Sequence, residues 1–377
     1  MQTTHLPVHR TTLGELNPSL RAQTRATASR LERRTPELLW QNCPTHWLSA
    51  ALALCVCATV TLAADRVVYE GQSGPGRGKH IVFLTGDEEY RSEEAGPMLA
   101  KILAVRHGFK CTVLFSINPA DGTIDPNIQT NIPGMDALAT ADLCVMNLRF
   151  RELPDDQMKH FVDYLHAGKP IIALRTSTHA FAYTRNRQSP YAKFDWRNKD
   201  WPGGFGQQVL GETWVNHHGD HGKESARGII VPAHRDHPIL RGVDDIWGPS
   251  DVYGVIHLPA DATVLVQGQV IAGMKPTDPP VAGKKNDPMM PLVWVRNYTH
   301  ENGKTSKIVT TTMGAAVDFE SAGLRRLLVN ACYWTTGLEA RIPAKANVDY
   351  VGEFKPTFFG FGKHKPGVKP ADLELKQ

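Results

Sequence analysis

Three imidazoles and a carboxylate fall within five residues at His217, His218, Asp220 and His221. Neutral imidazole nitrogens and carboxylates are the groups that hold Zn²⁺ or a related transition metal. His217 and His221 stand four apart, as two ligands on a helix would, but Gly219 between them argues against a helix. No HExxH-type spacing accompanies them. A divalent metal such as Zn²⁺ on His217, His218 and His221 is therefore one expectation, and a metal-free, hydrogen-bonded loop is the other. Further along, Asp251-Val252-Tyr253 follows the tight turn Gly248-Pro249-Ser250. A carboxylate beside a phenol can bind several hydroxyls of a sugar. Trp196, Trp201, Trp214 and Trp247 lie in the same half of the chain, and sugars stack on such rings.

A second set of reactive residues depends on the elements that must carry it. His80–Thr85 is a short apolar, β-branched run, as expected of a strand buried on both faces of a parallel sheet. Ala95–His107 repeats Met98, Leu99, Ile102, Leu103 and Val105 at helical spacing, and Gly108 closes it. Cys111–Phe115, Asp142–Met146 and Pro170–Leu174 are further strands. A helix from Pro154 to Ala167 buries Met158, Phe161, Val162 and Leu165. The stretch from Ser177 to Asp251 shows little periodicity except at Ile229–Val231 and reads as a long functional loop region. Ala262–Gln267, Leu292–Val295 and Lys307–Thr311 resume as strands, and Phe319–Thr336 is a last helix. Alternating strands and helices predict an α/β fold, a doubly wound parallel sheet with helices on both faces.

Ligands bind such sheets outside the carboxyl ends of the strands. The residues just past each strand are Asp87-Glu88-Glu89-Tyr90-Arg91, Arg149-Phe150-Arg151, Arg175-Thr176-Ser177-Thr178-His179 and Thr312-Met313-Gly314. Acids, guanidinium groups, hydroxyls and an imidazole on one edge suit proton transfer and oxyanion stabilisation. On this reading His179 or His217 is the general base, Glu88 or Asp251 the acid, and Arg175 the anion clamp. Asp87, Glu89, Tyr90, Arg149, Thr176, Trp214, Tyr253 and Thr312 would bind the ligand.

Charge and leader narrow the class. Residues 1–64 carry six Arg against three Glu, so 42 basic and 38 acidic residues reduce to 36 and 35 in the remainder. A nearly neutral body offers no field for nucleic acid. Trp47–Leu62 is apolar, follows the Arg-rich stretch and ends in small residues, the order of a signal peptide. It is shorter than the ~20 residues of a comfortable membrane span. The expectation is export to the periplasm or beyond, with no lasting membrane insertion; the alternative is an anchor at residues 47–62. The parts are then a leader (1–64), a linker (65–79), an α/β domain (80–340) and a surface-hugging tail (341–377). The body keeps Cys111, Cys144 and Cys332 without metal-ligand spacing, expected as buried thiols, although two could pair in an oxidising compartment. A homodimer is a further expectation, which no residue pattern in the sequence decides.

From His80 to Leu338 the order of motifs resembles the ThuA-like (trehalose-utilisation) family. The motifs are GKPIIALRTSTHAF at 168–181, LGETWVNHH at 210–218, HPILRGV at 237–243, DVYGV at 251–255, PLVWVRNY at 291–298 and TSKIVTTTMG before the closing helix. The resemblance implies a flavodoxin-like sheet, similar to class I glutamine amidotransferases, and a link to carbohydrate use. Two departures accompany it. Ala173-Leu174-Arg175 stands where the family has Gly-Ile-His, and Gly314-Ala315 where it has Gly-His. No Cys occupies the amidotransferase nucleophile position, which argues against glutamine hydrolysis. The implied ligand is a small sugar or oxidised sugar derivative. Three expectations follow: a sugar-modifying enzyme, a non-catalytic carbohydrate-binding scaffold, or a metal-dependent hydrolase built on residues 217–221.

Overall fold

The computed structural model describes residues 65–375. The segment at 47–62 read as a signal sequence lies outside the described residues. One sheet holds β1 (Arg66–Tyr69), β2 (His80–Gly86), β3 (Lys110–Leu114), β4 (Leu143–Leu148), β5 (Ile171–Leu174), β6 (Ser225–Ile230), β7 (Ile246–Gly248), β8 (Thr263–Ile271), β9 (Met290–Thr299) and β10 (Thr305–Thr311). Their spatial order is β1-β3-β2-β4-β5-β10-β9-β8-β6-β7. The five strands β3-β2-β4-β5-β10 are parallel. Counted along the chain they run 2-1-3-4-5, the flavodoxin-like order, and the order reverses between β2 and β4. All seven residues of β2 are buried, which is why its sequence is apolar without alternation.

Successive strand residues feed opposite cores. Ile81 and Phe83 join the cluster beneath α1 (Ser92–His107) and α3 (Ala322–Thr335). Val82 and Leu84 join the one beneath α2 (Asp155–His166). Helices therefore cover both faces. The apolar stripe of α1 is buried at Met98, Leu99, Ile102 and Leu103, whereas Val105, expected on that stripe, is 44% exposed. The helix expected over 319–336 is broken at Ser321, whose hydroxyl accepts from the Leu324 amide and starts α3. A separate 3-10 turn, Ala316–Glu320, precedes it.

The sheet is not parallel throughout: β9, β8, β6 and β7 extend it antiparallel beyond β10, and β1 caps the other edge. The stretch 177–251, expected to be loop, thus contributes two strands. Gly228 lies opposite Gly268 in the β6–β8 pair, and a Cβ there would come within 2.9 Å of Ile246 and Val266. A strand holding Arg227 and Gly228 carries no apolar alternation to read.

The tail is held by side-chain donors rather than strand pairing. Arg241 donates to the Ile342 carbonyl (2.8 Å), Arg326 Nε to Ala346 (3.1 Å) and Arg325 Nε to Val348 (2.9 Å). Cys111, Cys144 and Cys332 are buried free thiols, unpaired with one another. No helix among the described residues is long and apolar enough to cross a membrane.

Candidate active site

The exits of β2, β4 and β5 each carry one non-glycine residue in left-handed backbone: Arg91 (φ 60°), Phe150 (φ 53°) and Arg175 (φ 38°). Such residues cost about 1–3 kcal/mol each and persist where the surroundings over-determine them. Arg175 shows how. Its guanidinium is fully buried; Nη1 donates to the carbonyls of Thr312 (2.8 Å) and Asp251 (3.1 Å). Nη2 donates to Asp251 Oδ1 (2.8 Å) and the Tyr90 hydroxyl (3.0 Å). The rings of Tyr90 and Tyr253 lie 4.1 and 4.2 Å from it. This strand-to-helix turn is where an elbow would present a nucleophile; here it presents a fixed cation.

Asp251 is the hub. Its carboxylate is fully buried; Oδ2 accepts from His217 Nδ1 (2.7 Å) and Oδ1 from His221 Nδ1 (3.0 Å) as well as from Arg175. Burial alone would raise its pKa, but Arg175 and the two imidazoles outweigh burial and hold it well below the usual carboxylate range. It is therefore an ionised acceptor. His221 pairs through Nε2 with Glu89 Oε1 at 3.1 Å. Its hydrogen bonds to Asp251 and then to Glu89 raise its pKa to about 9, so it is cationic at neutral pH. Burial pushes Glu89 up, yet His221 and Arg149 bring it below its ordinary value. The His217 and His221 rings lie 4.6 Å apart. With Nδ1 held by Asp251, His217 has Nε2 turned away from its carboxylate, on a side chain 35% exposed.

The other expected site residues divide. Asp87 accepts from the Glu89 and Tyr90 amides (2.8 and 2.9 Å) and from the Thr176 hydroxyl, tying the β2 exit to the β5 exit. Glu88 is clamped between Arg149 Nη1 (2.9 Å) and Arg151 Nη2 (2.7 Å), and burial raises its pKa. It is an ion-pair bridge and is not brought to the imidazoles. His179 is buried among Phe150 (5.0 Å), Trp214 (5.2 Å) and Trp196 (6.3 Å), ring centre to ring centre. Burial, and after it the charges of Arg149 and Arg175, drive its pKa well below 6.5 and leave it neutral, with Trp214 in ring contact with both it and His217. Trp214 also meets Tyr253 at 4.7 Å. Thr312 contributes its carbonyl to Arg175, while its hydroxyl is buried without a protein partner. Trp201 packs on Phe194, and Trp247 donates to Ser225 Oγ; neither joins this edge.

The metal expectation changes in membership. His217, His221 and Asp251 each offer one donor atom, all within 4.8 Å of one another. His218 is not part of this group: its Nε2 meets the Lys285 carbonyl at 2.8 Å, because neighbouring residues in an extended loop point to opposite sides. Two imidazoles and a carboxylate match a three-ligand zinc site with an open position. Arg175, already on the carboxylate, disfavours a second cation there.

The tail was the unforeseen contributor. Phe359 packs on Tyr90 (5.4 Å) and on His221 (5.2 Å), and the Gly360 amide donates to the Glu89 carbonyl at 2.8 Å. Arg91 donates to the Gly360 carbonyl (3.1 Å), and Phe361 lies 5.1 Å from the Arg149 guanidinium. The available signal was Phe358-Phe359-Gly360-Phe361, a knot of aromatic residues in an otherwise Pro/Gly-rich tail.

No curated protein matches the chain. Among solved structures, a putative ThuA-like protein from Parabacteroides merdae is 14% identical over 79% of this chain and 99% of its own, with a TM-score of 0.46. Another from Bacteroides uniformis is 16% identical over 70% and 93%, with a TM-score of 0.43. The Trypanosoma brucei CTPS glutaminase domain with bound acivicin is 11% identical over 71% and 98%, with a TM-score of 0.35. The family model described as ThuA, trehalose utilisation, matches residues 80–335. The chain belongs to the ThuA family.

Proposed function

We propose that this protein is a sugar-modifying enzyme that moves a proton on a carbohydrate or oxidised sugar derivative at the carboxyl edge of its sheet. The observation that carries the reading is the single buried carboxylate, Asp251, holding His217 and His221 by their Nδ1 atoms. An ionised carboxylate on Nδ1 fixes the tautomer in which Nε2 is the base and stabilises the imidazolium formed when it takes a proton. His217 Nε2 is then the general base for a proton on a carbon beside a sugar carbonyl. His221, cationic and 4.6 Å away, has both nitrogens held by Asp251 and Glu89. It adds the field of its positive charge rather than a hydrogen bond to the oxygen on which negative charge develops, and the part-exposed Arg149 adds to that field. Trp214, part-exposed and backed by the buried Tyr253 at 4.7 Å, offers a face to the apolar side of the ring. Asp251 orients rather than donates, and Arg175 keeps it ionised.

The test is turnover of a panel of oxidised and unoxidised sugars, followed by NMR. His217→Ala abolishing turnover while an exposed Lys159→Ala change leaves it intact supports the assignment. Full activity in His217→Ala sinks it, and binding without any product would favour the carbohydrate-binding scaffold instead.

A second reading is favoured by the three converging donor atoms: a divalent metal on His217, His221 and Asp251. Such an ion would supply Lewis-acid polarisation of the sugar oxygen. Elemental mass spectrometry on protein purified without a His tag decides between the two. Near-stoichiometric metal, lost in His217→Ala/His221→Ala, establishes the metal reading; metal-free protein of unchanged activity removes it. The order of the leader supports export, and sequencing the amino terminus of the protein recovered from its host tests cleavage near residue 64.

A further inference from the structure

A cavity of about 170 Å³ lies between α1 and the tail. The helix gives it Glu93, Glu94 and Met98, and the tail gives it Val351, Phe354 and Leu373. None of these residues enters the proton transfer proposed above.

Glu93 is the unusual group. Both of its carboxylate oxygens are buried, and neither accepts a hydrogen bond from any described residue. Arg91 Nη1 stands 3.7 Å from Oε1, beyond hydrogen-bond reach. An acid in the first turn of a helix ordinarily meets the dipole from solvent or accepts from a first-turn amide. Glu93 has neither the solvent nor the amide. The other acids at the cavity are matched. Glu94 accepts from the Thr357 amide at 2.7 Å and lies 3.4 Å from Lys365 Nζ, and Glu353 pairs with Lys355. Lys101 Nζ lies over the ring of Tyr69, 5.6 Å from its centre. A buried carboxylate without donors costs stability, and natural proteins keep such departures at places of use.

The rest of the lining decides the class of ligand. Hard divalent cations need several oxygen ligands or retained water. Here one carboxylate is free, and Met98, Val351, Phe354 and Leu373 form the wall beside it. An ammonium group brings three N–H donors to a carboxylate, and an alkyl chain attached to it gains by leaving water for such a wall. From this geometry we infer that the cavity binds a small organic ammonium ion, with its N–H donors on Glu93 and its carbon chain against Met98 and Phe354. The inference stands apart from the carbohydrate reading, and neither depends on the other.

The experiment is calorimetric titration of the purified protein with n-butylammonium chloride, at constant ionic strength and pH 8, above the Glu93 pKa of about 7. The comparison ligands are methylammonium chloride, n-butanol and magnesium chloride. The expected result is one butylammonium bound per chain, tenfold or more tighter than methylammonium, with no binding of butanol. Glu93→Gln should weaken butylammonium tenfold or more. Glu353→Gln, a change at an exposed acid of the same cavity, should leave it within twofold. Absence of butylammonium binding overturns the inference, as does binding that Glu93→Gln leaves unchanged. Equal affinity for methylammonium and butylammonium overturns the role of the apolar wall and the inference with it. Magnesium bound more tightly than butylammonium, and lost in Glu93→Gln, would replace it with a divalent-cation site.

Discussion

Arg175 and Asp251 are joined at 2.8 Å with neither side chain exposed to solvent. Removing one partner of a buried pair leaves an uncompensated charge and costs about 3–5 kcal/mol. Arg175→Met should therefore lower stability by about 3–5 kcal/mol in urea unfolding, whereas Arg175→Met with Asp251→Leu should recover part of that loss. Asp251 has a depressed folded pKa, so its contribution is present above the unfolded carboxylate range and fades as pH falls. An acid limb unchanged in Asp251→Asn would show that the pair is not the source.

His221 titrates the other way. Its folded pKa, about 9, lies above the ordinary 6.5, so its stabilisation is complete below 6.5 and is lost as pH rises to 9. Imidazole NMR should find a midpoint near 9, and His221→Gln should flatten the stability profile across that window. A midpoint at 6.5 would mean that Asp251 and Glu89 do not hold the ring as described.

Phe359 positions that same imidazole from the tail. Phe359→Ala should cost about 3 kcal/mol as a buried ring is removed. It should also draw the His221 midpoint down towards 6.5, because the ring loses the surface that aligns it with both carboxylates. Lost stability with an unmoved midpoint would leave Phe359 a packing residue only.

Glu93, in the first turn of α1, is a buried acid with no hydrogen-bond partner for either oxygen and Arg91 Nη1 no nearer than 3.7 Å. Burial raises its pKa from 4.5 to about 7. An acid with a raised folded pKa binds its proton more tightly when folded, so stability falls as pH rises from 4.5 through 7. Glu93→Gln should match the parent near pH 4 and exceed it above pH 7 by up to ~3 kcal/mol. Parallel profiles for the two proteins would refute this.

The thiols of Cys111, Cys144 and Cys332 are buried and free, and burial raises the pKa of each. A thiol reagent should leave all three unmodified in the native protein and modify all three in denaturant. Resistance in denaturant until a reductant is added would reveal a disulfide.

The parallel core could be read from residues alone because its signals are local. A strand buried on both faces is an apolar run, and a helix against it repeats at 3.6, so β2, β4, β5, α1 and α2 could be placed before any contact was known. The polar character of the strand exits was equally visible, and with it Arg175 and Glu89 as candidates, while Asp251 stood out beside Tyr253 after the Gly248-Pro249-Ser250 turn. Which imidazole meets which carboxylate was not. His217 reaches Asp251 across 34 residues and Arg175 reaches it across 76, and no short window contains such a pairing. The same holds for β6, whose register lies opposite Gly268 and whose own pattern is interrupted by Arg227 and Gly228. It holds most for Phe359, placed on His221 by a tail whose backbone carbonyls take their donors from distant side chains. Apolar periodicity is a property of one segment, while hydrogen-bond partnership and ring contact belong to segments that only the folded chain brings together.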